Sequence, residues 1–308
     1  MNTQTKTLKI GTIINQDLTI PVITFGTKGP LISIIGGTHG NEPESLFIMR
    51  EIARALEAQK SLNCRVKFLL GVNAFGLINN TRVGSFDFKD LNRSFPGKAD
   101  GELTDRIANA VFNEVKNSEI VVDIHSVTNW GSFMGMELNA PTKSLVKKTQ
   151  DFNRLLNPPF VWRAIEDAKY ANASDESLLK IGVLGIGVEV PKLSLIDDAL
   201  MARIVESFMN VIKNPTLASV QKLSKPVPVL GNAKRFFSDL GGLFTPILEP
   251  MVQVKKGDVV GIMTDLKTLK DTKLKSKFDG VLFVQSTKKL VKTGDKIYVV
   301  TEKLGEFM

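Results

Sequence analysis

Only two histidines occur in the 308 residues, His39 and His125, and each lies where a strand-like run gives way to a turn. His39 belongs to Thr38-His39-Gly40-Asn41-Glu42-Pro43, between the apolar run PLISIIGG (30–37) and ESLFIMREIARALEAQ, which is apolar at helical spacing. His39 and Glu42 are three positions apart, so the two side chains can converge on one ion if the turn opens a helix. His125 lies in VVDIHS, with Asp123 two residues earlier and therefore on the same strand face. Two imidazoles and a carboxylate, completed by water, form a catalytic zinc set. His39, Glu42 and His125 are accordingly the expected ligands of one zinc per chain. Either histidine alone reads as a satisfied core residue; two at strand-end turns, one with a nearby Glu, favour the metal.

A catalytic metal centre also needs a proton carrier. Glu189 sits in GVLGIGVEV, an apolar, β-branched stretch where an ionised side chain is costly without a partner. Such a carboxylate beside a metal centre suits a general base. The competing reading is a Glu at the exposed end of an edge strand. DLNRSFPG (90–97) places Asn92 and Arg93 on a loop bounded by Pro and Gly, where the Arg fork matches a carboxylate. NPPFVWRAIEDAKY (157–170), with its aromatics and Arg163, reads as a pocket wall or as a packed segment. Cys64, the single cysteine, has no His nearby in sequence and reads as structural.

The elements that must hold these residues alternate. Residues 8–25 predict a hairpin near a sheet edge, and 30–37, 64–73 and 119–126 predict buried strands. Helices are expected at 44–59 and 100–117, from DESLLKIG, and from SLIDDALMARIVESFMNVIKN; 182–192 is strand-like. This order predicts an α/β domain with a largely parallel sheet. Helical periodicity stops near 222–232, dividing the chain into a catalytic part (1–225) and a C-terminal β module (226–308). VKKGDVVG (254–261) and VKTGDKIY (291–298) repeat within that module, each a Lys/Gly/Asp turn before an apolar strand. The alternative is a coincidental turn pattern.

The composition, 43% hydrophobic and 23% charged, is that of a globular protein with a sizeable core. One cysteine excludes an internal disulfide framework, and no apolar run is long enough for a transmembrane helix. The start lacks a secretory signal, so a reducing cytoplasm is expected. The net charge of +8 raises the question of nucleic acid. The lysines are scattered singly, without Arg runs or interleaved aromatics, so neither nucleic acid nor membrane is an expected partner.

The HxxE of THGNEP, DLNRSFPG, DIHS (123–126) and VEVP (188–191) resemble, in this order, motifs of the succinylglutamate desuccinylase/aspartoacylase family. These are zinc hydrolases related to metallocarboxypeptidases, and the likeness runs from about residue 30 to 210. The resemblance implies a carboxypeptidase-like mixed sheet flanked by helices, with a small C-terminal all-β module similar to biotinyl-like domains. It implies zinc on His39, Glu42 and His125, a metal-bound water as nucleophile, and Glu189 as the catalytic Glu. It further implies that Asn92 and Arg93 bind substrate. Arg82, in NNTRVGSF, matches a further Arg of the family only loosely, because the loop that follows is longer; it either polarises the carbonyl or binds substrate, or is a surface Arg. The turn that would carry an attachment Lys reads FDG (278–280), which makes the module a lid or assembly surface.

The expected function is zinc-dependent hydrolysis of the amide of an N-acyl amino acid or related small amide carrying a carboxylate. The alternatives are a metallocarboxypeptidase or deglutamylase acting on a peptide C-terminus, and a binding protein that retains a dead site. The expected partner is therefore a small-molecule or short peptide substrate, and a homo-oligomer is compatible with the sequence.

Overall fold

Strand-like runs and amphipathic helices alternate through the first two-thirds of the chain, and the computed structural model stacks them as one sheet between helical layers. It describes residues 2–126, 132–164, 171–218, 220–286 and 289–308. The elements are β1 (Thr3–Ile13), β2 (Gln16–Phe25), β3 (Leu31–Gly36), α1 (Glu44–Glu57), β4 (Arg65–Leu70), α2 (Ala74–Asn79), α3 (Leu103–Val115) and β5 (Ile120–Ser126). Then come β6 (Met134–Leu138), α4 (Lys143–Leu156), β7 (Phe160–Ala164), α5 (Ser174–Lys180), β8 (Leu184–Val190) and α6 (Asp198–Lys213). The strand patterns at 8–25, 30–37, 64–73, 119–126 and 182–192 all become strands, each within a few residues. Between 132 and 164, where the sequence pattern specifies no element, the chain forms β6, α4 and β7.

The strands from 227 onward are β9 (Val227–Phe237), β10 (Gly242–Pro246), β11 (Val252–Val254), β12 (Val259–Thr264), β13 (Asp271–Lys275), β14 (Gly280–Gln285), β15 (Leu290–Val291) and β16 (Lys296–Phe307). The large sheet has twelve strands in the order β1-β2-β4-β3-β5-β8-β6-β7-β9-β16-β14-β11. Four adjacent strands, β4-β3-β5-β8, run parallel, while the β1–β2 hairpin and β6 join them antiparallel, so the sheet is mixed. Side-chain alternation in β5 sends Ile120, Val122 and Ile124 into a core with α1, α4 and α6. Val121 faces the opposite core, against α3. Asp123 and His125 continue the Val121 face.

The C-terminal strands are not all short: β9 and β16 have 11 and 12 residues. β9 lies parallel to β7, which carries the large sheet past residue 226. β10, β12, β13 and β15 form a second, four-stranded sheet. The internal repeat is real at atomic level. In each copy the Lys amide donates to the Asp carboxylate, Lys255 to Asp258 at 2.8 Å and Lys292 to Asp295 at 3.1 Å. Ser276 and Ser238 then occupy matching places, pairing through their backbones with Asp258 and Asp295. Their hydroxyls close equivalent turns onto Phe278 and Leu240.

No helix among the described residues is long and apolar enough to cross a membrane.

Candidate active site

The carboxyl ends of β3, β5 and β8 lie side by side, and the loops leaving them hold the chemistry, as is usual in open α/β sheets. β3 ends at Gly36, and His39 and Glu42 follow in the turn that enters α1. This turn packs so closely on α2 that a Cβ at Gly40 would stand 1.8 Å from the Gly76 carbonyl carbon, so only glycine fits. His125, from β5, completes the group: one donor atom each from His39, Glu42 and His125 lies within 4.8 Å of the others. His39 Nδ1 is 3.0 Å from Glu42 Oε1, and His125 Nδ1 is 3.1 Å from both Glu42 Oε2 and His39 Nδ1.

The outward ring nitrogens are held as well. His39 Nε2 lies 3.1 Å from Asp90 Oδ1, and His125 Nε2 lies 3.3 Å from Asp123 Oδ2. Carboxylates behind imidazoles orient the rings and raise their basicity, the arrangement common around metal-bound histidines. All three inward-facing side chains are buried. Two Nδ1 atoms and a carboxylate facing one another, with both Nε2 atoms committed to Asp, fit a divalent metal of the zinc type. Burial opposes ionisation of Glu42, but hydrogen bonds from His125 and His39 outweigh it and hold the carboxyl well below its usual range. Asp90 behaves likewise: burial is overcome by His39, Arg82 and Arg93.

Glu189 stands beside this group. β8 lies between β5 and β6, so it is an interior strand, and the edge-strand reading does not apply. Glu189 is in register with His125 on the neighbouring strand. Its Oε2 is enclosed and has no hydrogen-bond partner. Burial, with a smaller contribution from Glu42, pushes its carboxyl up to about 7. A carboxylate at that level can both take and return a proton near neutral pH.

The arginines divide. Arg82 reaches the centre: its Nη1 is 3.4 Å from His39 Nδ1 and 3.6 Å from Glu42 Oε1, while its Nε donates to Asp90 Oδ2 at 3.0 Å. Arg93 donates to the Asn92 carbonyl and lines a hollow of about 450 Å³ with Lys89, Lys98 and Asn172. Asn92 itself is buried. Its Nδ2 lies 3.2 Å from His125 Nε2, and its Oδ1 accepts from the Ser174 amide at 2.9 Å.

Other residues that the sequence pattern singles out lie elsewhere. Arg163 pairs with Glu137 across β7 and β6 at 2.9 Å, as in a packed segment; residues 165–170 of that stretch lie outside the described residues. Cys64 is buried, its thiol donates to the Ile212 carbonyl, and burial pushes it up to about 11, so it is structural. Sequence reading misses Asp90, Thr38, Ser174 and Lys192. Asp90 heads the DLNR motif and is the one with a visible signal. Lys192, three residues after Glu189, donates to the Asn41 carbonyl at 2.7 Å and pairs with Glu44 at 3.1 Å, tying the loop after β8 to the metal-side turn.

Residues 28–213 match the model of the succinylglutamate desuccinylase/aspartoacylase catalytic domain. An N-alpha-acetyl-L-2,4-diaminobutyric acid deacetylase from Halomonas elongata is 33% identical over 100 residues, which is 32% of this chain and 29% of that relative's length. Among solved structures, the product-bound ectoine utilization protein EutE (DoeB) from Ruegeria pomeroyi superposes with a TM-score of 0.83 at 20% identity. That match covers 97% of this chain and 95% of the other. A succinylglutamate desuccinylase/aspartoacylase from Rhodobacter sphaeroides gives 0.75 at 20% identity, covering 94% and 90%. At these identities the two structures speak for the fold.

Proposed function

This chain belongs to the succinylglutamate desuccinylase/aspartoacylase family, and from that premise we propose that it is a zinc-dependent hydrolase of the amide in an N-acyl amino acid or related small carboxylate-bearing amide. One observation carries the reading: the convergent donors of His39, Glu42 and His125 lie beside a carboxylate, Glu189, whose Oε2 is enclosed without a partner. The 33% identical relative, a deacetylase, makes acetyl the first acyl group to try.

His39, Glu42 and His125 hold the metal. Zinc bound there would supply a Lewis acid for the scissile carbonyl and for an attacking water otherwise too weak an acid to ionise at neutral pH. Glu189 takes the proton of that water at Oε2 and delivers it to the leaving nitrogen. Arg82, poised between His39 and Glu42, faces the carbonyl oxygen as negative charge develops on it. Arg93 reads the substrate carboxylate with its planar fork. Asn92 supports it: its backbone carbonyl accepts from Arg93, while its side-chain oxygen accepts from the Ser174 amide and its side chain lies against His125. The strands after residue 226 serve as a lid or assembly surface.

The test is a panel of N-acetyl and N-succinyl amino acids beside short peptides, with and without a chelator. Chelator-sensitive release of free amino acid from an acylated one is expected. Cleavage of peptide C-termini with no acylated amino acid turned over would overturn the substrate class.

A further inference from the structure

We propose that Ser174, the first residue of α5, is a positioning residue for the metal ligand His125 and sets how tightly the centre holds its ion. The inference rests on the metal assignment above but not on the reaction.

Ser174 is buried and donates two hydrogen bonds in two directions. Its amide donates to Asn92 Oδ1 at 2.9 Å, and its hydroxyl donates to Asp123 Oδ2 at 2.6 Å. Both recipients meet at one atom, His125 Nε2, with Asn92 Nδ2 at 3.2 Å and Asp123 Oδ2 at 3.3 Å. The contacts close a ring: Ser174, Asn92, His125, Asp123. Asp123 Oδ1 accepts from Thr38 Oγ1 at 2.9 Å, so the carboxylate is held at both oxygens. Without the Ser174 hydroxyl, Asp123 Oδ2 loses its short donor and keeps only the 3.3 Å contact with His125, so the carboxylate can swing about the Thr38 bond and carry the imidazole with it. The imidazole it orients then loses its fixed tilt toward Glu42 and His39.

The glycines of β8 serve this contact. A Cβ at Gly185 would stand 2.7 Å from the Asp175 Cα, and one at Gly187 would stand 3.2 Å from Asp175 Oδ2. Their lack of side chains lets the first turn of α5 lie on the sheet, close enough for Ser174 to reach Asp123 on the neighbouring strand β5. Partners behind metal ligands typically contribute about 10- to 100-fold to metal affinity.

The zinc dissociation constant of the full-length protein, measured by competition with a chromophoric chelator, tests this. Ser174→Ala should weaken zinc binding by about 10- to 100-fold while circular dichroism stays that of the parent. The visible spectrum of its Co²⁺-substituted form should shift, reporting altered ligand geometry. Ser174→Thr, which keeps a hydroxyl, should recover most of the affinity. Ser177→Ala is the control, because it removes a buried hydroxyl that has no partner from the same helix and should leave zinc affinity unchanged. Zinc affinity in Ser174→Ala within twofold of the parent overturns the proposal, as does equal weakening by Ser177→Ala. A parent that binds no zinc removes the metal assignment together with this inference. Tight binding by both parent and Ser174→Ala removes only the inference.

Discussion

His125 and Glu189 stand side by side on adjacent parallel strands, paired in register, so the metal-side imidazole and the enclosed carboxylate project from one face at one height. A single register therefore sets the spacing between ligand and proposed base. Glu189→Gln keeps the shape and removes the charge. Turnover should fall by roughly 10²- to 10⁴-fold with zinc content unchanged, the usual contribution of general acid–base catalysis. Steady-state rates beside metal analysis decide it; near-normal turnover removes Glu189 as the base.

The metal group makes a stoichiometric prediction. Purified protein should carry about one zinc per chain, and His39→Ala or His125→Ala should lose most of it. Elemental analysis after gel filtration reads this directly. Full zinc content in both variants would show the ion to lie elsewhere.

Arg93 should behave as a reader of carboxylates. Arg93→Lys keeps the charge but not the fork, so the KM for free-acid substrates should rise strongly. Substrates with that carboxylate amidated should already be poor for the parent and lose little more in the variant. Equal cleavage of amidated and free-acid substrates by the parent would remove this role.

Asp175, beside Ser174 and against Gly187, offers a test in stability rather than rate. Burial first, and the neighbouring Asp123 charge next, push its carboxyl up to about 6 from 3.8. A raised acid binds its proton more tightly in the folded than in the unfolded chain. Stability on its account is therefore greatest below pH 4 and falls as pH rises through 4 to 6, by roughly 3 kcal/mol in all. Asp175→Asn retains the acceptor for the Glu176 amide and removes that cost. With a chelator present, the variant should be more stable than the parent by roughly 1–3 kcal/mol at pH 8, and the gain should vanish near pH 4. Urea denaturation at the two pH values checks this; a gain independent of pH would mean that Asp175 does not titrate as described.

Much of the candidate site was legible in the chain because its residues sit in local patterns. An apolar strand that breaks into THGNEP, another that ends in DIHS, and a Glu in a run of β-branched residues each announce a strand end carrying polar groups. The repeat at 254–261 and 291–298 was legible too, since a Lys/Gly/Asp turn closes on itself through the bond from the Lys amide to the Asp carboxylate.

Only the tertiary structure decided which partners stand behind those groups. Asp90 reaches His39 across 51 residues, Ser174 reaches Asp123 across another 51, and Asn92 turns from the loop surface inward to His125. The continuation of the large sheet from β7 into β9 was equally invisible, because Val161 and Val229 pair through backbone groups that every residue carries. Periodicity determines which face of a strand or helix is buried, and turn chemistry determines where an element ends. Neither specifies strand order. The order β4-β3-β5-β8, set by how the crossover helices pack, brings β3, β5 and β8 together and so decides which hydrogen-bonding directions meet at the two histidines.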